Sequence, residues 1–345
     1  MQTRNLTLSP HNPDPELIRR AADVIQRCGL VAFPTETVYG LGANALNEEA
    51  VAKIFHAKGR PSNDPLIVHV ASVADMKLVA AEVPPIVEKL AAQFCPGPLT
   101  FVLPKLPHVP ASVTAGLDTV AVRVPSHPIA LALIRESGVP IAAPSANRFG
   151  HTSPTTAAHV LDDLNGRIDM ILDGGATSVG IESTVLDVTR TTAMLLRPGG
   201  VSREAIEAVI GNVELRNNRP DSDAEAQVSP GLLGKHYTPN AELILCKGER
   251  VSALEKLLRL AKQAQAEGRS VGLLLANEDM MSFVSCVEYP LGSSNDLESI
   301  ARNLYAGMRA LDDKKVNMIL TRDFGEKGLG LAIHDRLLRA ASQII

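Results

Sequence analysis

The feature that most constrains the fold of this chain is a break in its periodicity. From residue 14 to 210, short apolar runs alternate with segments of helical spacing. The stretch ELRNNRPDSDAEAQVSPGLLGKHYTPNAE is then polar, proline-bearing and aperiodic, and the alternation resumes beyond it. Aperiodic stretches longer than about 12–15 residues are linkers or functional loops. The 345 residues leave room for two domains of roughly 100–200 residues each. The chain therefore reads as a first α/β domain over 1–212, a linker over 213–240 and a smaller α/β domain over 241–345.

Local signals fill in both domains. Asp14-Pro15-Glu16 has the form of a helix start, with a capping acid, a proline at the first position and an acid in the first turn. Ile18, Ala21, Ala22 and Ile25 then recur on one face, and a strand over 30–33 follows Gly29. A second helix begins near Asn47, with Val51, Ile54 and Phe55 on one face, and Gly59 and Pro61 stop it. Lys58 thus falls in its last turn and Arg60 just beyond. Further strands are expected over 66–70, 101–103, 119–124, 141–143, 170–172 and 184–187, and helices over 86–94, 129–137, 156–164 and 203–210. Without a strict βαβ rhythm, the first domain should hold a mixed, twisted sheet. In the second, all-apolar strands over 243–245, 271–275, 284–288 and 318–321 alternate with helices over 252–267, 297–311 and 331–341. That pattern gives a small parallel sheet, Rossmann-like in layout. No GxGxxG follows its first strand, which argues against a dinucleotide site there.

Composition narrows the function classes. The formal charge is -4, aromatics are 3% and tryptophan is absent. A grip on long nucleic acid calls for a basic surplus, and a stacking platform calls for aromatics; a local basic groove stays open. Cys28, Cys95, Cys246 and Cys286 form no CxxC pair, so they read as reduced thiols of a cytoplasmic protein. No run of about 18 apolar residues marks a membrane span.

Two short clusters carry the chemistry. Lys58-Gly59-Arg60 offers two cations, and Ser145-Ala146-Asn147 offers a hydroxyl and an amide at a strand end. Lysine meets phosphate as a point charge, whereas arginine can fork two oxygens. Arg123 lies in the apolar strand TVAVRVP, where a charge is costly unless paired. Either a buried acid partners it or it reaches an anionic ligand. His69 ends the strand LIVHV and is otherwise a core histidine. Gly231-Leu232-Leu233-Gly234-Lys235 has the wrong spacing for a phosphate-binding P-loop.

PTETVYGLG, the KxR of Lys58 and Arg60, PLIVHV, PGPLT, TVAVRVP, the SxN of Ser145 and Asn147, ESTV and LRPG resemble, in order, the blocks of the threonylcarbamoyl-AMP synthase family, also called YrdC-like. SPGLLGKHYTP and the second α/β domain resemble its longer, two-domain form. The resemblance implies a YrdC-like first domain with a concave cavity and a linker that folds back as a lid. It implies a nucleotidyltransferase that joins L-threonine, bicarbonate and ATP, with Mg2+ carried by the ATP, into threonylcarbamoyl-adenylate and diphosphate. Partner proteins would then transfer the threonylcarbamoyl group to tRNA, with a weak direct tRNA contact as a further expectation.

Carried over by position, Thr37, His69, Arg123, Ala143 and Ser183 match threonine-contacting residues. Lys58, Arg60, Thr119, Ser145, Asn147, Ser153, Arg197 and Tyr237 match nucleotide-side residues, with Tyr237 supplied by the lid. Lys58 and Arg60 would neutralise phosphate charge during attack. At the position where the family offers an amide to the nucleotide, this chain has Asn63-Asp64, and either could make that contact. The lid carries Leu232 where the family often has Met, an apolar exchange. An RNA-binding module without catalysis and a carbamoyl-phosphate-type hydrolase or transferase are the alternatives.

Overall fold

In the computed structural model, residues 2–216 and 237–345 are described. The chain divides into two compact units. The first comprises the described residues of Met1–Phe149, Ser153–Ser178 and Glu182–Gly234. The second comprises Gly150–Thr152, Val179–Ile181 and the described residues of Lys235–Ile345. The expected lid falls mostly on residues 217–236, outside the described residues.

The first unit holds strands β1 (Arg4–Thr7), β2 (Val31–Pro34), β3 (Tyr39–Asn44), β4 (Ile67–His69), β5 (Leu99–Pro104), β6 (Thr119–Arg123), β7 (Ile141–Ala142), β8 (Met170–Asp173), β9 (Thr184–Asp187), β10 (Met194–Arg197) and β11 (Glu214–Leu215). They form one mixed sheet in the order β1-β8-β2-β3-β7-β4-β6-β5-β9-β10-β11. Its helices are α1 (Pro15–Gln26), α2 (Glu48–Lys58), α3 (Pro85–Phe94), α4 (Ala111–Thr114), α5 (Pro128–Ser137), α6 (Ala157–Leu164) and α7 (Arg203–Ile210).

Helix α1 starts where its sequence dictates: the Asp14 side chain accepts from the Glu16 N–H, and Pro15 opens the first turn. Its buried face of Ile18, Ala21, Ala22 and Ile25 packs with Ile129, Leu133 and Ile134 of α5 over Val31, Phe33, Ile141 and Met170 of the sheet. Burial of that apolar face is the main force placing both helices. Helix α2 is capped by the Asn47 side chain and ends on Gly59 at φ 64°. That left-handed conformation suits glycine, and the Arg60 N–H beyond it donates to the Phe55 carbonyl at 3.0 Å.

The second unit holds a wholly parallel sheet of strands β12 (Glu242–Cys246), β13 (Val271–Leu275), β14 (Val287–Pro290), β15 (Met318–Arg322) and β16 (Gln343–Ile344), in the order β14-β13-β15-β12-β16. Helices α8 (Arg250–Ala266), α9 (Leu297–Asp313) and α10 (Gly330–Ala340) connect the strands. The expected mixed and parallel sheets are both present. Strand β3 carries no clear strand pattern in the sequence, because two glycines interrupt its apolar run. Strands β1, β11 and β16 lie at sheet edges, where one-sided pairing leaves little periodic signal.

Candidate active site

Register brings the first group of residues together. In the sheet His69 of β4 lies beside Arg123 of β6, and Arg123 in turn lies opposite Thr100 of β5. The Arg123 side chain is buried. Its Nε donates to the Gly97 carbonyl at 3.2 Å, one terminal nitrogen to Thr37 Oγ1 at 3.0 Å, and the other to Glu36 Oε1 at 2.6 Å. The question raised by a charge in an apolar strand thus has a direct answer: a buried acid, Glu36, partners it. Glu36 Oε2 accepts the Ser126 N–H at 3.0 Å. Thr37 Oγ1 also lies 2.8 Å from Thr35 Oγ1.

His69 is buried, edge-on to Phe33 at a 6.3 Å centroid distance. Its Nδ1 has no hydrogen-bond partner among the described residues. Burial first, and the Arg123 charge second, push its pKa down to about 3, with backbone contacts at Ile67 and Ile141 pulling the other way. The ring is therefore neutral at physiological pH. Burial pushes the nearby Cys95 thiol up to about 11, with Arg123 opposing and Glu36 adding to the shift. Ala143 follows β7, its N–H donating to the Ile67 carbonyl at 2.9 Å. Ser183 joins through Thr100, whose hydroxyl lies 2.8 Å from Ser183 Oγ.

A second group forms around Lys58 at the end of α2. Its ammonium donates to the carbonyl of Ser145 at 2.6 Å, to the carbonyl of Asn147, and to Asn147 Oδ1 at 3.4 Å. The KxR and SxN motifs, 87 residues apart, are thus one structure. Burial lowers the Lys58 pKa well below the usual lysine value. The Arg60 charge adds to that shift, and Asp163 and Asp64 oppose it. Arg60 turns onto its own loop: Nε donates to the Asp64 carbonyl at 3.2 Å and a terminal nitrogen to the Pro65 carbonyl at 2.8 Å. The same end lies 2.9 Å from the fully buried Asp64 carboxylate. Asp64 is therefore the counter-ion of Arg60. Of the Asn63-Asp64 alternatives, this geometry disfavours Asp64 as a direct partner of a triphosphate.

The remaining positions divide. Arg197 donates from Nε to the Ser183 carbonyl at 3.2 Å and from a terminal nitrogen to Ser183 Oγ at 3.2 Å, tying a nucleotide-side to a threonine-side residue. Ser153 donates to Glu182 Oε1 at 2.6 Å. Gly199 is required here by a close approach: a Cβ would lie 2.3 Å from the Ser183 carbonyl carbon. Thr119 stands at the opposite end of β6 from Arg123, four residues or about 13 Å along the strand. Tyr237 belongs to the second unit. It is buried, has a φ of 65°, and stacks on Tyr305 at 5.5 Å, with the Arg336 guanidinium 5.2 Å from its ring centre. Tyr305 and Arg336 are side chains of its own unit.

Three residues of the site carried no assignment from sequence: Glu36, Thr100 and Glu182. All sit inside the recognised blocks PTET, PGPLT and ESTV. The signal for Glu36 was Arg123 itself, since a strand arginine that needs a partner calls for an acid in a neighbouring motif.

Fold and contacts together define a two-domain α/β protein whose first unit carries two buried polar groups drawn from separate motifs: Arg123, Glu36 and a neutral His69 at the ends of β4 and β6, and Lys58 with Ser145 and Asn147 beside Arg60 with Asp64 after α2. The sequence model of the Sua5/YciO/YrdC family, described as "Telomere recombination", matches residues 23–199, and that of the threonylcarbamoyl-AMP synthase C-terminal domain matches residues 201–342. The chain belongs to the Sua5/YciO/YrdC family, in its two-domain form. It is 48% identical over 324 residues to threonylcarbamoyl-AMP synthase of Pyrococcus abyssi, covering 94% of each chain. It is 47% identical over 329 residues to the Bacillus subtilis protein of the same name, covering 95% of this chain and 93% of that one. The crystal structure of P. abyssi Sua5 complexed with L-threonine superposes with a TM-score of 0.92 at 45% identity, covering 99% of this chain and all of the other.

Proposed function

We propose that this protein is a threonylcarbamoyl-AMP synthase, a nucleotidyltransferase that forms threonylcarbamoyl-adenylate and diphosphate from L-threonine, bicarbonate and ATP. The observation that supports the reading best is buried Arg123 beside a neutral His69 whose Nδ1 has no hydrogen-bond partner among the described residues, on the fold of a relative solved with L-threonine. Arg123 has N–H donors beyond its three protein contacts and would take the amino acid's carboxylate. His69 Nδ1 would take a polar group of the same ligand, and Thr37, Ala143 and Ser183 would complete the contacts.

The chemistry needs no protein nucleophile. The threonine amine adds to the carbon of bicarbonate, and water leaves to give a carbamate. A carbamate oxygen then attacks the α-phosphorus of ATP, and diphosphate departs. What the chain must supply is orientation and compensation of phosphate charge. Lys58, Arg60, Ser145, Asn147, Ser153 and Arg197 are the residues for that task, with Asn63 the better candidate of its pair. Mg2+ enters with ATP as part of the substrate. The buried carboxylates at this end, Asp64 and Glu182, already hold Arg60 and Ser153, so phosphate oxygens and water would dominate its coordination.

The threonylcarbamoyl-adenylate would pass to proteins that modify tRNA, in the cytoplasm. Among the described residues no helix is long and apolar enough to cross a membrane. The test is diphosphate release by purified protein, with the adenylate identified by mass. Release should require threonine and bicarbonate together; release indifferent to threonine refutes the assignment.

A further inference from the structure

We propose that Glu36 is the ammonium-side residue of the amino-acid site and makes that site select a zwitterion over a simple carboxylate. The inference rests on the reading that Arg123 receives the amino acid's carboxylate. It begins from the charges that face one another. Glu36 and Arg123 are both buried, and their charged atoms are 2.6 Å apart. Three titratable groups whose shifts respond to this pair are His69, Cys95 and His127. Burial keeps the His69 ring and the Cys95 thiol uncharged. It also lowers His127, with Glu36 opposing and His11 adding to the shift. The Glu36 and Arg123 charges thus offset one another before any ligand arrives.

A carboxylate that docks on Arg123 brings a negative charge into a place where Glu36 has already supplied one. Buried excess charge is strongly disfavoured. An α-amino acid removes the difficulty, because its ammonium lies one carbon from its carboxylate and can answer Glu36 while the carboxylate answers Arg123. Donor and acceptor capacity on both sides allows this. Glu36 Oε1 accepts from Arg123 and Oε2 from the Ser126 N–H. A carboxylate has about four lone-pair sites, so acceptor capacity remains beyond those two bonds. Arg123 commits three of its five N–H groups to Gly97, Thr37 and Glu36. The paired charges of the protein are the mirror of the paired charges of an amino acid.

Calorimetric titration of the full-length protein tests this with L-threonine and with its 2-hydroxy analogue, in which a hydroxyl replaces the amino group. The wild type should bind the analogue roughly 10- to 100-fold more weakly, the range for a hydrogen bond to a charged group. In Glu36→Gln that ratio should collapse toward one. Were Glu36 only a brace for Arg123, both ligands would weaken in parallel and the ratio would persist, which overturns the proposal. Equal binding of both ligands by the wild type also overturns it, whether or not the variant folds. A wild type that binds neither ligand refutes the threonine site itself, a separate and recognisable outcome.

Discussion

His69 gives the most quantitative prediction, because a buried histidine that stays neutral ties the stability of the first unit to pH. Its pKa is about 3 in the folded protein, against 6.5 when unperturbed. Above pH 6.5 neither state binds the proton, and the residue contributes no pH dependence. As pH falls through 6.5 the unfolded chain takes up a proton that the folded site refuses. Stability is therefore lost progressively down to about pH 3. At pH 5 the loss is 1.5 pH units at about 1.4 kcal/mol each, or about 2 kcal/mol. Urea unfolding at pH 7 and pH 5, compared between wild type and His69→Gln, isolates this component, since other titrating groups act in both proteins. The wild type should lose about 2 kcal/mol more than the variant between the two pH values. The imidazole C2–H resonance offers a direct reading: it should hold its neutral position down to pH 4.5. A midpoint near pH 6, or equal losses in the two proteins, would show that His69 charges freely and that the electrostatics described around Arg123 are wrong.

Two further predictions concern the phosphate end. Asp64→Ala leaves the Arg60 guanidinium without its buried counter-ion and should destabilise the first unit by about 3 kcal/mol, the lower end for breaking such a pair because two carbonyl contacts persist; chemical denaturation measures it, and a loss under about 1 kcal/mol rejects the counter-ion role. Gly199→Ala forces a Cβ to within 2.3 Å of the Ser183 backbone, so the Arg197–Ser183 contacts should be lost and threonine-dependent diphosphate release should fall at least tenfold. Wild-type turnover in that variant would show that the close approach is not required.

The extent to which this could be foreseen differs between fold and site. Interior elements were legible because burial on one or both faces imposes a period: α1 and α5 match their apolar spacing, and β9 and β13 match their apolar runs. Elements whose partners are remote in sequence were not. Nothing local marks β1 as a strand, since what orders it is pairing with β8 some 160 residues later. The site shows the same division. Residue types announced themselves at Lys58, Arg60, Ser145 and Asn147, and Arg123 announced its need for a partner. Which acid would answer it was settled only by the turn that carries Glu36 past the end of β6. The counter-ion role of Asp64 likewise depends on Arg60 folding back on a left-handed glycine, a geometry its neighbours do not dictate.

The three carbonyl oxygens around Lys58 restrict what sequence change can do here. An ammonium is a compact tetrahedral donor, and converging lone pairs suit its three hydrogens. A guanidinium is flat and wide, with its donors spread in one plane. Exchange of lysine for arginine, among the mildest substitutions on a protein surface, would at position 58 replace a knot with a fork and pull the loop bearing Ser145 and Asn147 out of place. At position 60 the asymmetry reverses, because there two separate nitrogens of one guanidinium share the acceptors, Nε meeting one carbonyl and a terminal nitrogen the other carbonyl and the carboxylate, and a lysine has a single nitrogen. The order of the two cations about Gly59 is thus itself information, and a chain reading arginine, glycine, lysine would carry the same charge without the same site.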